Sequence, residues 1–246
     1  MTGTTQTVPQ TMSEGPRSLP ARALGVIFSP RATYASIAAR PRVLGALLLV
    51  LAIGAAMTIA LMSTEVGRTA ALDQQVRQAE AFGRPMTDQQ YEQMERFLPY
   101  FGYIGAASQV VFFVIISLVV AGLMFAVFNA MLGGDATFKQ VLAVVVHSGF
   151  IISVQQLFVI PLDYVRESLS GPTTLAAFAP FLEDTSFVAR FLGAIDLFLL
   201  WWVVNLAIGL GVLYKRRTAP IATGMLVTFV AIALVIAAVR TALSGA

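Results

Sequence analysis

The sequence predicts an all-α integral membrane protein: a five-transmembrane-helix bundle with an N-terminal interfacial helix and a helical outer loop. Three observations carry the prediction. Of 246 residues, 57% are hydrophobic and only 12% are charged, with a mean hydropathy of +0.79. A soluble domain carries about a quarter charged residues, and one core of this length cannot hide so much apolar surface from water. Second, five runs almost free of charge cover residues 43–62, 103–132, 141–162, 191–214 and 219–239. Each meets the requirement of ~20 residues to cross a hydrocarbon core ~30 Å thick, and lipid leaves the backbone no partner but its own helix. Third, basic residues gather in the segments that flank these runs on one side.

The same composition removes several functions. There is no cysteine, which excludes disulfides, thiolate metal sites and cysteine nucleophiles. The single histidine, His147, cannot assemble a zinc site, which needs several N or S ligands. The net charge of +3 has no basic stripe with interleaved aromatics, so it reads as membrane-end charge and not as a nucleic-acid surface. No H-E-x-x-H, G-x-S-x-G or Walker loop is present, and no cofactor is expected.

Residues 1–20 are rich in Thr, Gln, Ser and Pro and lack an apolar run. They are expected to be a disordered tail and not a cleavable signal peptide. Residues 21–246 are then the membrane domain. Ser29 is placed to cap a short helix with Pro30 in its first position. Tyr34, Ile37 and Ala38 share a face of that helix, with Arg31 and Arg40 at its ends, so it is expected to lie on the membrane surface.

In the outer loop 63–102, Gly83 is placed to stop one helix, and Thr87 with Gln90 forms a capping box for the next. Pro99 starts or kinks the helix that follows. Gly133-Gly134-Asp135 reads as a tight turn between spans two and three. Pro161 is placed to break span three. Ser170-Gly171-Pro172 breaks the third loop, and Asp184 or Thr185 is placed to cap span four. Ala52, Ala56 and Ala60, and likewise Ala207 and Gly211, recur at the four-residue spacing that allows close helix contact.

Basic residues give the orientation. Arg17, Arg22, Arg31, Arg40 and Arg42 precede span one, and Lys215, Arg216 and Arg217 fill the turn between spans four and five. The outer loop carries six acids against four arginines. The expectation is a bacterial-type cytoplasmic (inner) membrane, with the N-terminus cytoplasmic and the C-terminus outside. The basic triad 215–217 is a topology determinant that can also meet anionic lipid.

Five intramembrane polar residues are the candidate site: Asp196, Gln155, Gln156, His147 and Asn205. Asp196 is the one carboxylate well inside a predicted span. The helical rise puts Gln155 and Gln156 at its depth, so one of them is expected to hydrogen-bond it. His147 and Asn205 match each other deeper in the membrane. Asp196 and Asn205 are nine residues apart, on opposite faces of an ideal helix, which argues against one continuous polar path. A lone membrane histidine can be a pH switch, or simply a packed residue.

Several segments in order resemble the Yip (Ypt/Rab-interacting protein) domain family, bacterial branch. They are Ile27-Phe28-Ser29-Pro30-Arg31 through Ala39-Arg40-Pro41, then Leu132-Gly133-Gly134-Asp135 through Gln140, then Ala194-Ile195-Asp196-Leu197-Phe198 with Trp201-Trp202. Gly171-Pro172-Thr173-Thr174 and Pro180-Phe181 add to it. The resemblance covers about residues 24–240. It implies a five-span helical membrane domain; eukaryotic relatives act in vesicle trafficking and contact Rab-type GTPases. It supplies no catalytic motif.

The function expected from these readings is a non-enzymatic membrane-organising or scaffold protein. It would act through the bilayer, a membrane-protein partner or a second copy of itself. The competing reading is a small-solute transporter or channel, with Asp196, His147 and Gln155 in a polar path.

Overall fold

The computed structural model describes residues 18–81, 83–183 and 185–244, and their regular elements are helical. The expected tail, residues 1–17 above all, lies outside the described residues, as does Asp184. The first two helices, α1 (Leu19–Phe28) and α2 (Pro30–Ala39), form a hairpin. Then come α3 (Leu44–Met62), α4 (Glu65–Ala81), α5 (Asp88–Phe97) and α6 (Phe101–Phe125), the last continued by a π-helical turn, Ala126–Met131. The chain goes on through α7 (Phe138–Ser148), α8 (Phe150–Arg166), α9 (Phe187–Gly193), α10 (Leu197–Leu213) and α11 (Thr218–Ser244).

Four stretches are long and apolar enough to cross a membrane: Leu44–Met62, Asp88–Met131, Phe138–Arg166 and Thr218–Leu243. The α7–α8 stretch is the central one. It is 56% buried, against 22% for α3 and 11% for each of the other two, whose apolar side chains face outward where lipid would lie. α3 packs on α6 and α8, and α10 packs on α2, α7 and α11. Val26, Ile37, Val141, Val144, Ile151 and Leu206 are fully buried where these meet.

Arg31, Arg40, Arg42 and the 215–217 triad are all exposed at one end of the bundle, hereafter the basic end. The opposite, loop end carries residues 63–100 and 167–186. There Gly83, at φ +65°, ends α4. The Gly83 amide bonds the Glu80 carbonyl and the Arg84 amide bonds the Ala79 carbonyl, the Schellman pattern. Thr87 and Gln90 cap α5 reciprocally, and Pro99 sits in a 3₁₀ turn that hands the chain to α6.

Several expectations are corrected. The fourth apolar run is not one helix: it breaks between α9 and α10, and Asp196 is the N-cap of α10. Pro161 does not break span three, since α8 runs through it to Arg166. α8 forgoes the one bond that residue 161 would donate to the Leu157 carbonyl and continues, and the interruption falls instead at Gly149, between α7 and α8. Ala52, Ala56 and Ala60 are exposed; the packed face of α3 carries Ala46, Val50 and Gly54, the same spacing two residues out of register. Ser29 holds the N-cap position of α2 without a side-chain cap bond. Ser186 caps α9, its hydroxyl accepting from the Ala189 amide at 3.2 Å. The expected lone surface helix is a helical pair whose inner face is inserted into the bundle, with Tyr34 and Ile37 fully buried.

Candidate intramembrane polar site

The break at Asp196 has a local cause. In an uninterrupted helix the amides of residues 197, 198 and 199 would bond the carbonyls of 193, 194 and 195. Here each amide is taken by something else. Leu197 donates to the Thr173 carbonyl at 3.0 Å. Phe198 and Leu199 donate to Asp196 Oδ1 at 2.8 and 3.1 Å. The Ile195 carbonyl, freed in turn, accepts from the Leu175 amide at 2.9 Å. The Thr174–Asp196 β-bridge thus replaces one helical turn with a short extended pairing. The chain 171–178, which follows Gly171 at φ +66°, reaches down to make it.

Asp196 is 8% exposed, and both its oxygens are engaged. Besides the two amides, Gln155 Nε2 of α8 donates to Oδ1 at 3.0 Å, and Thr173 Oγ1 donates to Oδ2 at 2.5 Å. A carboxylate deprived of water needs such donors. Four are supplied from three segments, so Asp196 ties α8, the 171–178 segment and α10 together at the loop end.

Gln156 points elsewhere. It lines a cavity of about 20 Å³ with Val50, Leu51, Gln109, Phe113, Ile152 and Ser153, among α3, α6 and α8. Thr58 donates to Gln109 Oε1 at 2.9 Å, while Gln156 Oε1 and Ser153 Oγ have no partner. A void of this size holds about one water, which such a pair of polar atoms can bind. Gly54 makes the space: a Cβ there would come within 2.8 Å of Gln109 Nε2 and 3.3 Å of Gln156 Oε1.

Asn205 belongs to a third cluster, toward the basic end. Tyr34 donates its hydroxyl to Asn205 Oδ1, and Asn205 Nδ2 donates to the Val26 carbonyl at 2.9 Å. One amide of α10 therefore holds both helices of the N-terminal hairpin. Gly209, one turn on, lets α2 and α7 approach: a Cβ at that point would lie 2.5 Å from Val144 Cγ1 and 3.0 Å from the Tyr34 ring. His147 is fully buried and does not reach Asn205 by any hydrogen bond. Its Nδ1 bonds the Ala143 carbonyl at 2.7 Å and therefore carries the hydrogen; Nε2 has no partner, and the ring stands edge-on to Phe150.

A fourth cluster fastens the turn after α6. Tyr214 stacks on Phe128, with ring centroids 4.7 Å apart, and donates to Asn129 Oδ1 at 2.6 Å. Asn129 Nδ2 in turn donates to the Ala136 carbonyl at 2.7 Å. Gly134 lies against the Tyr214 ring, where a Cβ would stand 2.6 Å from it. Thr137 and Gln140 form a capping box, and Gln140 Nε2 reaches the Ala38 carbonyl at 3.0 Å, joining α7 to α2.

The predicted polar residues thus fall into separate groups. Asp196 with Gln155, Gln156 with Ser153, Asn205 with Tyr34, and His147 alone share no cavity among the described residues. The sequence reading missed Thr173, Tyr34, Gln109, Asn129 and Tyr214 as polar partners. It also missed Asp163, buried on α8 with Oδ1 unpartnered. Among the described residues no cluster of three or more His, Cys, Asp or Glu side chains could hold a metal ion.

A helical bundle with several membrane-length apolar helices, with Asp196, Gln155 and Asn205 among the buried polar groups that hold its segments together, defines a polytopic integral membrane protein. The family model for the Yip1 domain matches residues 24–240, and the chain belongs to that family. Comparison with curated proteins and with solved structures finds no match.

Proposed function

We propose that this protein is a non-enzymatic membrane-organising scaffold with five spans, α10 serving as the fourth. The observation that supports the reading is the pairing of its buried polar groups. Asp196, Gln155 and Asn205 are engaged in hydrogen bonds between segments of the bundle, and the void beside Gln156 admits about one water. A transport path needs polar groups that face one continuous cavity. A catalytic site needs titratable groups that converge. The exposed arginines and lysine of the basic end support a cytoplasmic N-terminus in an inner membrane. Apolar faces on α6 and α11 offer contact to lipid, to a partner membrane protein or to a second copy.

The test is an accessibility scan in membranes, for which the absence of native cysteine gives a clean background. Single cysteines at positions 147, 155, 156, 196 and 205 should resist a water-soluble thiol reagent, while positions in 83–100 label. Labelling that runs unbroken from position 196 to 147 would replace the scaffold reading with a transporter.

A further inference from the structure

We propose that the groove between α6 and α11 binds one anionic glycerophospholipid, with its headgroup on the basic triad and an acyl chain along α11. The groove has a volume of about 950 Å³, at the upper end of the ~300–1,000 Å³ typical of ligand sites. Its floor is Trp202 and Leu206 of α10, and Leu123 of α6 with Val127 of the π-helical turn forms one wall. Along α11 it runs from Pro220 to Ile232, twelve residues or ~18 Å, about the depth of one leaflet.

Its chemistry changes at the basic end. Lys215, Arg216 and Arg217 line the mouth, and no carboxylate lines the groove among the described residues. Arg216 is positioned there by donating from Nη2 to the Leu132 carbonyl at 2.8 Å. An apolar trough that ends in three cations matches an anionic lipid in both parts. A parallel second copy would bring its own triad to the same depth, where like charges repel.

Lys215 adds an independent observation. Its φ is +53°, in the left-handed region where glycine is favoured. The Arg216 amide bonds the Gly211 carbonyl and the Lys215 amide bonds the Val212 carbonyl, so Lys215 fills the position of a Schellman glycine. Glu167, at φ +51°, closes α8 in the same way, so the conformation alone is a helix ending; what sets Lys215 apart is that a cation in place of the glycine lines the groove. Gly224 is the converse. It lines the groove, and a Cβ there would meet nothing within 4 Å, so a side chain can fill the trough without disturbing the helices.

The experiment is native mass spectrometry of the purified full chain in mild detergent. It is titrated with phosphatidylglycerol or with phosphatidylcholine of the same acyl chains. One phosphatidylglycerol should be retained per chain, in preference to phosphatidylcholine. Removing a charge with Lys215→Gly or Arg217→Gln should lower phosphatidylglycerol affinity about fivefold each. Lys215→Gly should at the same time raise the melting temperature, an effect opposite in sign to its effect on binding. Gly224→Phe should abolish retention of both lipids at a melting temperature no lower than that of the unaltered chain. Equal retention of the two lipids overturns the proposal. So does a Gly224→Phe chain that still binds, or a dimer in place of the lipid adduct. The proposal requires only that the chain sits in a bilayer, so its outcome is separate from that of the accessibility scan.

Discussion

Asp196 shows how one side chain can decide the shape of a helix. Its Oδ1 caps two amides and its Oδ2 holds Thr173, so its loss unties a backbone break and a loop together. Asp196→Ala should cost ~2 kcal/mol, the sum of a lost N-cap and of buried donors left without an acceptor. Asp196→Asn, an equally good cap, should cost less than ~1 kcal/mol. Thermal unfolding in detergent, followed by loss of the monodisperse species, checks both; equal losses would mean that the carboxylate, not the cap, carries the effect. A helical rise of 1.5 Å per residue places Gln155, Gln156 and Asp196 at one depth, and that much is legible in the sequence. What separates the two glutamines is the face of α8, and that depends on where α3 and α10 pack. Thr173 was out of reach, because the path of an irregular loop is not a function of its own residues. Tyr34 and Asn205 lie 171 residues apart, and nothing local in either announces the other.

At the scale of the element, apolar runs were legible and their interruptions were not. The one local mark near Asp196 in the run 191–214 is Gly193, the last residue of α9, and an isolated glycine in an apolar run does not by itself announce a break. The break comes from the 171–178 segment competing for amides. Capping boxes were legible at Thr87 because the pattern is contained in four residues. The small-residue stripe misled by register: alanine and glycine recur in α3 on more than one face, and spacing alone does not say which face meets a neighbour. Two glycines of similar appearance therefore have opposite roles. Gly209→Ala should destabilise by ~1–3 kcal/mol through overpacking against Val144 and Tyr34. Gly224→Ala, with open space around it, should stabilise α11 by up to ~1 kcal/mol. Melting temperatures of the two variants in one detergent should move in opposite directions; a shared direction would mean that α10 is less tightly held than its contacts imply.

At the scale of the whole molecule, the family segments prove to be joints. Gly134, Thr137 and Gln140 hold the turn after α6 to Tyr214 and to α2. Asp196 and Thr173 hold the 171–178 segment to the start of α10. Pro30 and Tyr34 form the hairpin that α10 receives. Membrane class and family could be reached from the linear chain because apolar length and motif order are linear properties. The joints could not, because each is made by residues from distant segments.

The seating of the N-terminal hairpin has a consequence for how the protein is made. Tyr34 and Val26 leave the ribosome long before Asn205 exists. At about 5–20 residues per second, the intervening 171 residues take ~10–35 s to synthesise. For that interval α1 and α2 have only the part of their socket that α3, α7 and α8 supply, and the faces that α10 will cover must wait at the membrane surface or under a chaperone. Nascent chains arrested before α10 should therefore be cut by trypsin at Arg22 and Arg31, and chains arrested beyond α11 should resist at Arg22, which is buried in the finished fold. Equal cleavage at both lengths would mean that the hairpin docks without Asn205. A helix made late in the bundle thus receives the two made first, and the N-terminal hairpin is fully seated only then.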